Sequence, residues 1–411
     1  MQSFLNRFSF LGWRMVLVAF FIDFIAVGFF FYSYGVFFKA IAEEFGDSRL
    51  GVAIGITVTQ VVGALLAPFI GRALDRYPLK RIMTFGATSM GLGFLFLSQV
   101  TTPLQFYLVL GAFIGVGSGA MGQLATSKLV SNWFVLKRGS ALGIAATGIS
   151  ASGVVMPAIS AWLIGMYGWR EGFMFFGIFT LIIVVPVVLS FVISTPEEVG
   201  LLPDGEKESH RLPPPKPPLS TREFLGDSNF WFLVVAMGFI FSCMSATFIH
   251  MVPKVTDLGH DLVAASFIAS VAAALGIVGK LVYGNLADRW DIRYALWLCI
   301  ACQITGQLFM FSESYSVFLF GAAIFGFGAG GMVPMQGATV AYVFGRASFG
   351  RVMGAMRPAM AVIQLIGVPF AGWVFDTTGS YDPAFVVFIG FYVMAAFAVW
   401  WLKIPRRQAL L

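Results

Sequence analysis

The sequence predicts an all-α integral membrane protein, with twelve transmembrane helices in two pseudo-symmetric six-helix halves. Three observations lead there. Of 411 residues, 58% are hydrophobic and only 11% are charged, with a mean hydropathy of +0.86, whereas a soluble domain carries about 25% charged residues. Twelve apolar runs approach the roughly 20 residues that a spanning helix needs. A short motif in the first half of the chain also returns in the second.

The runs cover 14–38, 50–71, 82–100, 104–128, 139–165, 170–193, 229–252, 262–287, 294–312, 315–343, 350–374 and 382–403. No Ala-x-Ala cleavage pattern follows the first, so it reads as a retained helix and not as a removed signal. A polar segment at 195–228 separates the sixth run from the seventh. It contains PEEVGLLPDGEKESH and RLPPPKPPL, and its prolines predict an extended spacer. The expected domains are an N-terminal bundle (1–194), a Pro-rich cytoplasmic linker (195–228) and a C-terminal bundle (229–411).

Orientation follows from lysine and arginine, which favour cytoplasmic ends. Of the 26 basic residues, twenty fall at one set of ends, including Arg72, Arg76, Lys80, Arg81, Lys128, Lys137, Arg138, Arg289, Arg293, Arg346 and Arg351. Only Lys39, Arg49, Arg170 and Lys254 fall at the other. Both termini and the linker are therefore expected in the cytoplasm, and the compact loops suggest a bacterial plasma (inner) membrane. The net charge of +6 is dispersed over helix ends and gives no nucleic-acid patch. Cys243, Cys299 and Cys302 all fall in apolar runs, so no disulfide framework is implied. Cys299-x-x-Cys302 has a metal-ligand spacing, but no second pair or nearby histidine completes it, and the two read as small buried residues. No metal, cofactor or enzymatic constellation is expected.

The repeat is explicit. GRALDRYPLKR (71–81) and GNLADRWDIR (284–293) both read Gly-x-x-x-Asp-Arg followed by a basic residue, after the second run of each half. RGSALGI (138–144) and GRVMGAM (350–356) share Gly-x-x-x-Gly after the fourth run of each half. A six-helix unit has been duplicated in parallel orientation, as in many transporters.

With Gly71, Asp75, Arg76, Lys80 and Arg81, and their echo at Gly284, Asp288, Arg289 and Arg293, the chain resembles the major facilitator superfamily over essentially its whole length. The resemblance implies the major facilitator fold and assigns this motif to a cytoplasmic gate. Physically, the glycine allows close helix approach, the aspartate can cap a helix start, and the arginines prefer the cytoplasmic face. A finer resemblance is to the monocarboxylate porter family. WFVLKRGSALGIAATGISASG (133–153) is similar to that family's fifth-helix signature, FLGWRMV (10–16) to the Gly-Trp part of its other signature, and YSYGVFFKAI (32–41) to the outer end of its first helix. The family's outer first-helix lysine corresponds to Tyr32 here. Its eighth-helix arginine corresponds to Lys280, and the aspartate one turn earlier to Gly276. The cation is kept in kind and the acid is absent. The oxalate–formate exchanger branch is also similar, with cations in helices eight and eleven.

Two cations, Lys280 and Arg357, fall inside apolar runs, as does one acid, Asp23. A charge at a helix centre costs roughly 2.5 to 3.5 kcal/mol on insertion scales. At 1.5 Å per residue, Lys280 and Arg357 lie about 10 Å from the cytoplasmic helix end, and Asp23 roughly 14 Å. The functional reading is capture of a carboxylate by both cations, the arginine as a bidentate fork. The plain readings are snorkelling and an ion pair with Asp23. Asp23 reads as a proton carrier, as a fixed partner of Lys280, or as a residue at a cavity mouth. Tyr34 and Gln123 are supporting substrate contacts, because the first and fourth helices line the cavity in this superfamily. Gln60, Gln303, Gln307, Gln336 and Gln364 suit interhelical hydrogen bonds, and His250 an interfacial site.

The reading that results is a monomeric secondary transporter of small organic anions. It would be a proton-coupled monocarboxylate porter that works by alternating access, with the carboxylate on Lys280 and Arg357 at the domain interface. The alternatives are an organic-anion exchanger of the oxalate–formate type and a proton-driven multidrug exporter. Against the exporter, the fourth run has no arginine between Gln105 and Ser127.

Overall fold

The computed structural model describes residues 10–45, 49–206 and 216–404. Residues 1–9, 46–48, 207–215 and 405–411 lie outside it, and with them Arg7, Lys207, Arg211, Arg406, Arg407 and the central prolines of the linker. Among the described residues there is no strand, and twelve long helices follow the twelve predicted spans. A bilayer interior offers no water to backbone N–H and C=O groups, and a helix satisfies them within its own segment.

Helix α1 (11–45) comprises Leu11–Val27, a π-helical turn Gly28–Tyr32 and Ser33–Phe45. α2 is Arg49–Arg76 and α3 is Leu79–Leu97. α4 (103–133) is composite. Pro103–Val109, a π-helical turn Leu110–Gly115 and Val116–Met121 are followed by a break at Gly122 and then by Gln123–Trp133. α5 is Arg138–Tyr167. α6 (169–191) holds a third π-helical turn, Thr180–Val184. α7 to α12 are Ser228–Asp257, Leu262–Arg289, Ile292–Phe309, Tyr315–Phe344, Phe349–Thr378 and Asp382–Trp400. Ten of these are long and apolar enough to cross a membrane. The other two, α3 and α9, are diluted by polar groups: Lys80 and Arg81 in the first turn of α3, and Arg293, Gln303 and Gln307 in α9.

The chain groups into two compact units. Unit 1 holds Met1–Leu136, Ile144–Pro215 and Arg346–Ala355, and unit 2 holds Lys137–Gly143, Lys216–Gly345 and Met356–Leu411. The first turns of α5 thus pack with the second half of the chain, and the first turns of α11 with the first half. Within unit 1, α1, α3 and α6 meet through phenylalanines, with Phe29 stacked on Phe176 at 4.3 Å and Phe37 on Phe173 at 4.5 Å. Within unit 2, α8 and α10 meet through small residues. A Cβ on Gly330 would come within 2.0 Å of the Gly276 carbonyl oxygen, and one on Gly326 within 2.0 Å of that of Ala272.

The described parts of the linker are folded onto the units, where its prolines predicted a spacer. Pro196–Val199 and Pro203–Gly205 form short 3-10 turns in unit 1. Asp204, at φ 60°, accepts the Val135 and Leu136 N–H groups at 2.7 and 2.8 Å. On the unit 2 side, the Lys216 ammonium caps the end of α10 by donating to the carbonyls of Tyr342 (3.1 Å) and Val343 (2.6 Å). Burial, helped by Arg138, pushes this lysine's pKa down. A short helix, Thr221–Gly226, then opens with a capping box of Ser220 and Glu223.

Candidate functional site

The repeated motif builds the same joint in each unit. In unit 1, the Asp75 carboxylate accepts the Gly350 and Arg351 N–H groups at 2.9 and 2.8 Å. In unit 2, the Asp288 carboxylate accepts the Gly139 and Ser140 N–H groups at 2.6 and 2.7 Å. Each aspartate therefore satisfies orphan donors at a helix start, where the helix dipole also favours an anion. The helix in question is not the one that follows in sequence. Asp75 caps α11, and Asp288 caps α5. The glycines make the approach possible. A Cβ on Gly350 would lie 2.4 Å from the Gly71 oxygen, and one on Gly139 2.3 Å from the Gly284 oxygen. Asp75, whose side chain is fully buried, also pairs with Lys128 at 2.9 Å. The Lys128 amine donates further to the Arg346 carbonyl, and the Arg346 guanidinium reaches Asn132 and the linker's Glu197. Arg76, Arg81 and Arg289 are exposed.

One turn before each motif glycine the joint is repeated, with a different side chain. In unit 1, the Ala67 carbonyl lies 2.3 Å from where a Cβ on Gly354 would be. In unit 2, the Lys280 carbonyl lies 2.4 Å from where a Cβ on Gly143 would be. The main chain makes one contact in both places, and alanine is sufficient for it. Unit 2 carries a lysine at this position, and Lys280 is only 7% exposed. Arg357 stands three residues after Gly354, as Ala146 stands three after Gly143, so it too occupies a place where the other half has alanine. Arg357 is exposed, and α11 carries Pro358 directly after it. The family's acid position, Gly276, faces α10, and a Cβ there would lie 3.3 Å from the Gly326 oxygen.

The remaining sequence candidates belong to unit 1. Asp23 is 2% exposed and accepts a hydrogen bond from the Thr126 hydroxyl at 2.9 Å. Gln123, half-buried, is the first residue after the break in α4. Gly122 is required there, because a Cβ would lie 2.5 Å from the Ser118 oxygen. Tyr34 is buried between α1, α2 and α4. Its ring lies 5.5 Å from Phe30 and 6.3 Å from Phe106, and its hydroxyl fills the space beside Gly55. Tyr32 ends the π-helical turn and packs on Gly153 of α5.

Sequence reasoning missed Thr126, which is 103 residues from Asp23 in the chain. It also missed two ion pairs at the helix ends opposite the basic ones. Arg170 pairs with Glu44, and Lys254, buried over Phe385, pairs with Asp382. These tie the first helix of each six to its sixth helix, with the signs reversed. Gln303, Gln307 and Gln336 bond between helices as expected. Tyr392 donates to Gln303 at 3.0 Å, Gln307 donates to Thr247 at 3.5 Å, and Gln336 donates to the Met360 sulfur at 3.4 Å. His250 meets the Val368 carbonyl at 3.1 Å. Cys302 accepts from the Tyr283 hydroxyl at 3.3 Å.

Monocarboxylate transporter 13 of Rattus norvegicus is 28% identical over 398 residues, covering 94% of this chain and 88% of its own. Monocarboxylate transporter 11 of Homo sapiens is 27% identical over 395 residues, with 92% and 79% covered. Among solved structures, the human organic anion transporter MFSD10 superposes with a TM-score of 0.72 at 14% identity, covering 95% of this chain and 99% of that one. A bacterial homologue of the iron transporter ferroportin in an outward-facing state gives 0.72 at 13%, with 95% and 98% covered. These two show the fold alone. The family model of the Major Facilitator Superfamily matches residues 16–316 and 281–410. With its twelve helices, its duplicated Gly-x-x-x-Asp-Arg joint and its likeness to the monocarboxylate porter branch, the chain belongs to the major facilitator superfamily and is a membrane transporter.

Proposed function

We propose that this transporter carries small monocarboxylates across the plasma membrane by proton-coupled symport and alternating access. Both termini and the linker lie on the cytoplasmic side in this reading. The observation that carries it is Lys280, a buried cation at a position where the duplicated half keeps the same main-chain contact with alanine. A buried cation suits a carboxylate, because charge-assisted hydrogen bonds are the strong ones. Arg357 supplies the second cation and a bidentate fork. Tyr32, Tyr34 and Gln123 supply further contacts, and the relatives' printed name, monocarboxylate transporter, agrees in substrate class.

Asp23 is the proton carrier in this scheme. The family's acid position is Gly276, where a Cβ would lie 3.3 Å from the Gly326 oxygen of α10. Asp23 is the acid that falls within an apolar run, and it is buried. An anion moving with a proton adds no net charge, so the membrane potential does not oppose uptake.

The test is uptake of labelled lactate into liposomes holding the purified protein, under an inward proton gradient, with Lys280→Gln and Arg357→Gln beside the wild type. Uptake that follows the gradient and is lost in Lys280→Gln supports the reading. The missing acid at Gly276 favours one second reading, organic-anion exchange. Uptake only into liposomes preloaded with an organic acid would select it. No flux of lactate in any condition would remove lactate as the substrate.

A further inference from the structure

We infer that Thr126 is a positioning residue that passes the protonation state of Asp23 to the break in α4, where Gln123 stands. This rests on the reading of Asp23 as the proton carrier. The Thr126 hydroxyl has one hydrogen and two acceptors in reach: the Asp23 carboxylate at 2.9 Å and the Gln123 carbonyl at 3.2 Å. It can donate to only one of them at a time. Both Asp23 and Thr126 are buried, so water does not easily replace either bond.

The choice follows the charge. While Asp23 is ionised it is an acceptor only, and a charged acceptor holds the hydroxyl hydrogen against a neutral carbonyl. When Asp23 takes up a proton it becomes a donor. Its new O–H then points to the Thr126 oxygen, and the hydroxyl turns its own hydrogen to the Gln123 carbonyl. One proton is gained by Asp23 and none leaves Thr126; the Asp23–Thr126 bond reverses its direction, and the bond from Thr126 to the Gln123 carbonyl is made. The Gln123 carbonyl lies in the first turn after Gly122, whose backbone has ψ −151° and breaks the helix. The added bond therefore tightens the turn that carries the Gln123 side chain. Ala26, on the Asp23 face of α1, packs against Gly122 itself, so both ends of the relay touch the break.

The charged groups on the elements around this relay stand as follows. On α4, Lys128 is bound to Asp75 and to the Arg346 carbonyl. Residues 144–167 of α5, packed on α1 through Gly148 and the Phe20 carbonyl, carry no charge. Nor does Val185–Phe191 of α6, which also packs on α1. The linker's Asp204 holds the Val135 and Leu136 N–H groups. On α1 itself, Arg14 is nine residues away and Glu44 is tied to Arg170.

The experiment uses the full-length protein with Thr126→Val, Thr126→Ala, Thr126→Ser and Asp23→Asn. Lactate uptake in liposomes gives KM, maximal rate and pH profile. Infrared difference spectra over a pH titration read the Asp23 carboxyl band in the purified protein, with no substrate present. Loss of the hydroxyl removes a bond that favours the carboxylate. Thr126→Val and Thr126→Ala should therefore move the midpoint of the carboxyl band and of uptake upward by about one pH unit. They should also raise KM, and Thr126→Ser should restore both. If neither Val nor Ala moves the midpoint while Asp23→Asn abolishes the pH dependence, Thr126 is structural and the inference is wrong, with Asp23 still the carrier. If Asp23→Asn leaves the pH dependence intact, the carrier reading fails and takes the inference with it. If only maximal rate falls, in step with the amount of folded protein, the relay is likewise excluded.

Discussion

The joint at Ala67 and the joint at Lys280 are one piece of main-chain geometry with two different side chains. In both, a carbonyl presses on a glycine of a neighbouring helix, at 2.3 and 2.4 Å from an absent Cβ, and about two turns later an aspartate caps that same helix. The difference teaches which parts of the chain are scaffold. What recurs in both halves, Gly71 with Gly284 and Asp75 with Asp288, holds helices together. What occurs in one half only is Lys280 and Arg357, where the other half has Ala67 and Ala146.

The largest expected effect breaks that comparison on its chemical side. Lys280→Ala should cost roughly 10- to 100-fold in uptake, the loss of a charge-assisted contact of about 1.5–3 kcal/mol. Its thermal midpoint in detergent should stay near that of the wild type. Asp75→Asn attacks the scaffold side. It takes the anion from the buried Lys128 ammonium and should cost about 3 kcal/mol in stability, read as a lowered midpoint in the same assay. Gly139→Val and Gly350→Val should each cost about 1–3 kcal/mol by overpacking, and the two losses should match if the joints are equivalent. The smallest effects belong to the reversed ion pairs. Glu44→Gln, at a half-exposed pair, should cost below about 1 kcal/mol. Asp382→Asn should cost more than Glu44→Gln, because it leaves the buried Lys254 without its carboxylate.

Much of the scaffold was legible because its signals are local. Apolar runs of spanning length mark helices, and a repeated Gly-x-x-x-Asp-Arg marks a duplication. That the aspartates would cap α11 and α5 lay in the matching Gly-x-x-x-Gly segments, although sequence alone does not say which helix start each carboxylate meets. The π-helical turns and the break at Gly122 were not legible, since apolar periodicity runs through them undisturbed. The place of each charge along its apolar run was readable and its burial was not. Counting residues put Lys280 and Arg357 at similar depth, yet Lys280 is buried and Arg357 is exposed. Thr126 carried no signal at all, because a lone hydroxyl in a helix gains meaning only from the carboxylate that folding brings to it. The linker was read from its prolines as a spacer. Asp204 and Lys216 show instead that charged side chains fasten its two ends to backbone groups.

The most direct test of the central claim is thermal unfolding of the wild type and Lys280→Ala, each with and without a saturating monocarboxylate such as lactate. A ligand that binds the folded state raises its apparent stability by mass action. The account expects equal midpoints without the acid, and a rise with it in the wild type alone. A lowered midpoint for unliganded Lys280→Ala would make the lysine part of the scaffold. An undiminished rise with the acid in Lys280→Ala would remove Lys280 from the binding site.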